Sequence, residues 1–352
     1  MTDHLSDAFP RLAARVPSLR LADLPTPLEV RLLPHGADAV PIAIKRDDLT
    51  AALYGGNKVR KLEYLLQRAR DRNARRVATF GTVASNHALA TALYGAAQQF
   101  ESVCFLSHQS RTPQAAIMLN MHLRIGTEIV RYGGSRRQRI ATLRKHLAGQ
   151  KTWVIPMGGT CWLGVLGHVN AGLELAEQLA SGAAESPDRL YVATGTMGTA
   201  AGLALGLALA GLHTEVHAVR VSPDWIANHR ALQRLMVKTA LLMRRLDATI
   251  PADLVQKSRI RFRDEFFAGG YARSDAATDA AIGIAREQLG LTLDTTYSGK
   301  AMAALLHDVR QPELAGQSLL FWNTYNSRPL PATTENPGDG VRLPDEFRRY
   351  FD

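Results

Sequence analysis

Four segments of the chain share one pattern: a short β-branched run, a glycine or serine turn, then alanine and leucine at helical spacing. They are RRVATFGTVASNHALATALYGAAQQF (75–100), ESVCFLSH (101–108), TWVIPMGGT running into CWLGVLGHVNAGLELAEQLA (152–180), and DRLYVATGTMGTAAGLALGLALAGL (188–212). Strands alternating with helices predict an α/β fold with parallel sheets, whose ligands gather at loops beyond the carboxyl ends of the strands. That rule singles out FGTVASNH, IPMGGTC and ATGTMGTAAG. A further apolar run, SLLFWNTYNSRPLP (318–331), predicts a strand ending in a polar turn with Asn323, Thr324, Tyr325 and Asn326. The stretch 224–265 reads as mainly helical and arginine-rich. After Pro329 the chain is rich in proline and glycine up to LPDEFRRYFD, and no internal repeat is visible.

Composition narrows the class. A chain of 352 residues, 46% of them hydrophobic, has ample core for one large or two ordinary domains. The longest apolar stretch, AAGLALGLALAGL (200–212), is short for a bilayer, so no membrane span is expected. The N-terminus lacks a signal-type apolar run, which with only two cysteines, Cys104 and Cys161, favours a cytoplasmic protein with buried thiols. The net charge of +10 comes from arginines scattered over segments such as 68–76 and 135–139, without interleaved aromatics. Nucleic acid is therefore not the expected partner. A cationic surplus instead suits an anionic substrate and cofactor. His87, His168, His213, His217 and His229 show no metal-ligand spacing, and no metal is expected.

Candidate chemistry lies in the loops. In GGNKVRKLEYLL (55–66), Lys58 stands at a predicted helix start, where the helix dipole disfavours a cation. That position suits an amine kept partly unprotonated, able to form a Schiff base; the same four residues also describe a solvated turn. The loop 193–202 carries Gly195, Gly198 and Gly202 into a helix, lacks the lysine of a triphosphate loop and does not fit G-x-G-x-x-G. It fits a monophosphate, or a turn that needs glycine for packing. Ser85, Asn86 and His87 sit at another helix start, where a hydroxyl and free amides would take a carboxylate or simply cap the helix. Tyr297 precedes a helix in LDTTYSGKAMAALL (293–306), and Thr324 closes a strand.

Together LADLPTPLE (21–29), KRDD (45–48), GGNKVRKLEYL, SNH, IPMGGTCWLGVLGHVNAGLEL, ATGTMGTAAGL, GGY (269–271) and LDTTYSGKAMAAL resemble, in order, the aminocyclopropanecarboxylate deaminase and D-cysteine desulfhydrase family. These are fold type II enzymes of the tryptophan synthase β type that use pyridoxal 5'-phosphate. The resemblance implies an α/β protein of two domains, each a largely parallel twisted sheet flanked by helices. Residues 1–60 and 168–352 would form a large cofactor-binding domain, and 61–167 a small mobile one. It also implies a homodimer acting on a small amino acid.

Position by position, Lys58 matches the lysine that binds the cofactor aldehyde, Lys61 a lysine near the phosphate, and Asn86 the asparagine beside the ring hydroxyl. Gly195, Thr196, Met197, Gly198 and Thr199 match the phosphate loop, and Thr324 the partner of the pyridine nitrogen. Ser85 matches the serine at the substrate carboxylate, Tyr297 and Tyr271 the active-site tyrosines. Asn86, His87 and Thr160 complete the expected substrate set. Ser298 stands where the deaminases carry glutamate, and Thr324 where they carry leucine, so both favour elimination giving pyruvate, ammonia and sulfide. His87 replaces a usual glutamine, and Tyr325 and Asn326 replace two glycines, which brings extra bulk towards the pocket. Cyclopropane ring opening, racemisation and β-replacement share the same start, and a catalytically silent cofactor-binding regulator is the alternative of another class.

Overall fold

The computed structural model describes residues 3–36, 38–330 and 343–351. They form two compact units: one of the segments up to Pro17, Ala22–Lys61 and Thr160–Arg328, the other of Ser18–Leu21, Leu62–Gly159 and the residues from Pro329 onward.

Ten strands run through the described residues: β1 Leu28–His35, β2 Asp38–Lys45, β3 Arg76–Thr82, β4 Glu101–Ser107, β5 Glu128–Arg131, β6 Thr152–Val154, β7 Arg189–Thr194, β8 Glu215–Arg220, β9 Ile260–Arg263 and β10 Leu319–Trp322. In the first unit they form a sheet of order β1-β2-β10-β7-β8-β9, in which only the β1–β2 hairpin is antiparallel. β7 and β10 are buried on both faces, hence their unbroken apolar runs. Residues from helices Ala276–Leu289 and Ser298–Val309 share one core with Ile42, Ile44, Tyr191, Val219 and Phe321. Helix Gly198–Leu209 is almost wholly buried, as a sequence whose one polar side chain is Thr199 requires.

A buried ionic network ties this unit together. Lys45, at the end of β2, donates to Glu174 Oε1 at 2.6 Å, and Arg60 reaches Asp47 at 2.8 Å and Glu174 at 2.9 Å. Trp322 Nε1 donates to Asp47 Oδ2 at 2.8 Å. Burial alone would raise the Glu174 pKa, but Arg60 and Lys45 overcome it and hold the carboxyl down to about 2. The KRDD segment thereby clamps the helix that starts at Lys58.

The second unit holds a wholly parallel sheet of order β5-β4-β3-β6. Helix Asn86–Ala97 follows β3, and Ser85 Oγ accepts the Ala88 amide at 3.2 Å as its cap. The turn Asp345–Tyr350 inserts Phe347 and Tyr350 among Val83, Ala88, Leu106, Ala115 and Leu119.

That last segment belongs to the second unit, where Phe347 and Tyr350 complete the core, and the first unit resumes at Thr160. Within 224–265, helix His229–Leu246 matches the expectation, while Ile260–Arg263 instead adds the edge strand β9 to β8. Cys104 is buried as expected, but Cys161 is half-buried. The proline- and glycine-rich stretch 331–342 lies outside the described residues. Among those described, no helix is long and apolar enough to cross a membrane.

Candidate active site

The turn before Lys58 is pinned to the end of β10. The Asn57 amide donates to the Thr324 carbonyl at 3.3 Å. Gly56 has φ +92°, and a Cβ there would lie 2.9 Å from the same carbonyl, so only glycine fits. Asn57 Nδ2 donates to Thr199 Oγ1 at 2.8 Å, while its Oδ1 accepts from Lys58 Nζ at 2.8 Å. One asparagine thus joins the lysine to the loop 195–199.

Lys58 keeps some contact with solvent at its surface, yet its amine is enclosed by protein, and burial lowers its pKa to about 8 against the opposing pull of Asp294. Nζ lies 5.9 Å from the Tyr297 ring centroid. Lys61 is buried, and burial together with the Lys58 charge pulls it well below the ordinary lysine range. A Cβ on Gly198 would stand 2.9 Å from both Lys61 Nζ and Thr160 Oγ1. Thr160 and Thr196 share a 2.6 Å hydrogen bond, and Met197, with φ 67°, turns the chain into helix Gly198–Leu209. A helix start, a buried amine and two hydroxyls thus gather around Gly198, groups of the kind that can hold an anion.

Tyr271 and Tyr297 meet oxygen to oxygen at 2.5 Å. Burial and the neighbouring Tyr271 push the Tyr297 pKa well above its usual value, so it stays a neutral phenol. Asp294 accepts the Thr296, Tyr297 and Ser298 amides and the Ser298 hydroxyl, the last at 2.6 Å. Ser298 is thereby committed to its own turn. Lys300, buried and lowered to about 8 by burial, donates to the Phe267 and Gly270 carbonyls at 2.8 Å each, bracing the segment that leads to Tyr271. Thr324 is buried at the end of the same strand that carries Trp322. Asn326 Oδ1 accepts from the Gly55 amide at 2.7 Å and the Arg328 amide at 3.0 Å, so its bulk closes a turn. Burial raises the Tyr325 phenol, with Asp294 adding to the effect.

In the second unit Ser85 is buried and Asn86 half-buried at the start of their helix. His87 is buried, with Nε2 2.9 Å from Thr79 Oγ1. The Thr79 hydroxyl donates to the Ile155 carbonyl, which can only accept, so His87 Nε2 carries the proton. Its ring is directed at β3.

Sequence reasoning missed Asn57, Asp294 and Lys300. Asp294 had a usable signal, an aspartate four residues before the helix-opening Ser298. Asn57 and Lys300 had none beyond adjacency to the chemistry.

Residues 19–324 match the family of pyridoxal-phosphate dependent enzymes. The chain is 33% identical over 325 residues to a D-cysteine desulfhydrase of Klebsiella pneumoniae (strain 342), covering 88% of this chain and 94% of the relative. A D-cysteine desulfhydrase of Serratia proteamaculans (strain 568) is 34% identical over 321 residues, with the same coverage. A solved ACC deaminase homologue superposes with a TM-score of 0.76 at 28% identity, covering 93% of this chain and 96% of that one. A fungal L-serine ammonia-lyase from Rhizomucor miehei shares the fold, with a TM-score of 0.58 at 16% identity. With this coverage and identity, the chain belongs to the aminocyclopropanecarboxylate deaminase and D-cysteine desulfhydrase family of fold type II pyridoxal-phosphate-dependent enzymes.

Proposed function

We propose that this chain is a carbon–sulfur lyase of the D-cysteine desulfhydrase type, taking a small amino acid to pyruvate, ammonia and sulfide. The observation that carries the reading is an enclosed Lys58 amine, brought down to about 8, on the same helix as the buried Lys61 that faces the Gly198 cradle.

The residues present suit pyridoxal phosphate. The cradle at Gly198 would take its phosphate, held by Lys61, Thr160, Thr196 and the amides of 195–199, and Lys58 would meet its aldehyde. Thr324 would face the pyridine nitrogen and Asn86 the ring hydroxyl. When bound, the cofactor supplies an electron-withdrawing ring that stabilises negative charge at the substrate α-carbon.

The protein's part is positioning and proton transfer. Lys58, once free, removes the α-proton; a pKa of about 8 leaves an appreciable neutral fraction near neutrality. Tyr297, kept neutral and bonded to Tyr271, is suited to give a proton to the departing sulfur. Ser85 and the amides around it would orient the substrate carboxylate, with Asn86 beside them, while the His87 ring stays bonded to Thr79. Ser298 favours elimination over ring opening, because its short hydroxyl is bound by Asp294 and presents no carboxylate.

The test is incubation with D- and L-cysteine, other β-substituted alanines and aminocyclopropanecarboxylate, following pyruvate, sulfide and cofactor absorbance. Pyruvate and sulfide from a cysteine, lost in Lys58→Ala, are expected. Lysine-linked absorbance that survives Lys58→Ala, or ring opening without sulfide release, would end the proposal.

A further inference from the structure

The final turn of the chain has no part in the chemistry above, yet it reaches the loop that carries Ser85. Tyr350 Oη donates to the Gln109 carbonyl at 3.0 Å and accepts from the Gln109 amide at 3.1 Å. Both backbone groups of one residue are thus held by one phenol. His108 Nδ1 lies 3.2 Å from the same oxygen, and the two rings stack with centroids 5.9 Å apart. Gln109 Oε1 in turn accepts the Ala84 amide at 3.3 Å.

Ala84 is the loop residue whose amide depends on this side chain. Its neighbours are held without Gln109, Val83 by the Ser107 carbonyl at the end of β4 at 3.1 Å and Ser85 by the Thr82 carbonyl at 3.0 Å. Phe347 is fully buried in the core beneath and anchors the turn independently of the phenol. The hydroxyl of Tyr350 is therefore not needed to dock the segment. Its two bonds fix the Gln109 peptide, and the fixed peptide aims a side chain at the loop.

We propose that the C-terminal hook, residues 343–351, is a positioning element for the loop 83–87, acting from Tyr350 through Gln109 to Ala84. This rests on the reading of that loop as the seat of the substrate carboxylate. Tyr350 touches no reacting atom; it keeps Ser85 and the nearby amides in one arrangement. Loss of the hook loosens that arrangement without disturbing the Lys58 cradle.

The experiment compares the full-length, cofactor-loaded protein with Tyr350→Phe and, as a second entry to the same link, Gln109→Leu. Hydrogen exchange of the Ala84–His87 amides should quicken by about threefold to tenfold in both variants, as loss of one net hydrogen bond implies. Exchange within β3 and the cofactor absorbance should not change. KM for a β-substituted amino acid should rise by about the same factor, with kcat less affected. Unchanged exchange at Ala84–His87 in both variants overturns the proposal, whatever the kinetics. Faster exchange with an unaltered KM supports the hook and instead removes the carboxylate role of the loop.

Discussion

Replacing Lys58 by methionine should stabilise the cofactor-free protein at neutral pH and do so less and less as the medium becomes alkaline. Burial lowers the amine from 10.5 to about 8 in the folded chain. At about 1.4 kcal/mol per pH unit, a fall of that size corresponds to about 3 kcal/mol, and solvent reaching the side chain reduces it to about 1–3 kcal/mol. The sign follows from proton counts. Below about pH 8 both folded and unfolded chains hold a charged lysine, and the folded one bears the full desolvation penalty. Between there and 10.5 the folded amine is neutral while the unfolded one is still protonated, so the penalty fades with rising pH. Methionine carries none of it. Losing the bond to Asn57 acts the other way by about 1 kcal/mol, but without this pH dependence. Urea unfolding of parent and variant from pH 6 to pH 11 reads the difference, in which groups common to both cancel except those the Lys58 charge reaches, Lys61 foremost; the same comparison in a Lys61→Met background removes that contribution. A variant advantage that is constant across this range, or that grows above pH 8, would refute the burial argument for Lys58.

Gly198→Ala would drive a methyl against Lys61 Nζ and Thr160 Oγ1, each 2.9 Å from its Cβ, and should weaken pyridoxal phosphate binding by about tenfold or more. Reconstitution titrations measure this, and unchanged affinity would place the phosphate elsewhere. Burial lowers Lys58 while Asp294 partly restores it, so Asp294→Asn should shift the amine titration of the cofactor-free protein below about 8; the pH dependence of Lys58 acylation by an amine-directed reagent reports the direction. Glu174→Gln leaves Lys45 and Arg60 short of a carboxylate in a fully buried network and should destabilise by about 3–5 kcal/mol in urea unfolding. Lys300→Met should lower kcat while the cofactor absorbance persists, because the segment leading to Tyr271 loses two carbonyl contacts.

How much of this was legible in the sequence depends on whether a residue's reason for being there is local. Strand-to-helix loops could be found because an amide cluster, a glycine and a helix start occur within a few residues, as in ATGTMGTAAG and GGNKVRK. The alternation of periods likewise pointed to parallel sheets, and the family resemblance implied one in each of two domains. The Asp47–Arg60–Glu174 network was invisible, since Arg60 and Glu174 are 114 positions apart and Glu174 reads as an ordinary polar residue of an amphipathic helix. β9 was hidden for a related reason: Arg261 is exposed while Arg263 is buried against Asp308, an ion pair that no pattern of apolar positions announces. Asn326 looked like added pocket bulk until the Gly55 amide appeared opposite it. The last turn shows the limit most clearly. LPDEFRRYFD reads as a polar tail with three stray aromatics, and only the fold reveals that Phe347 completes a core built from residues more than two hundred positions earlier. The chemistry of this chain is therefore written in short motifs, whereas the geometry that aims it comes from pairings that only folding brings together.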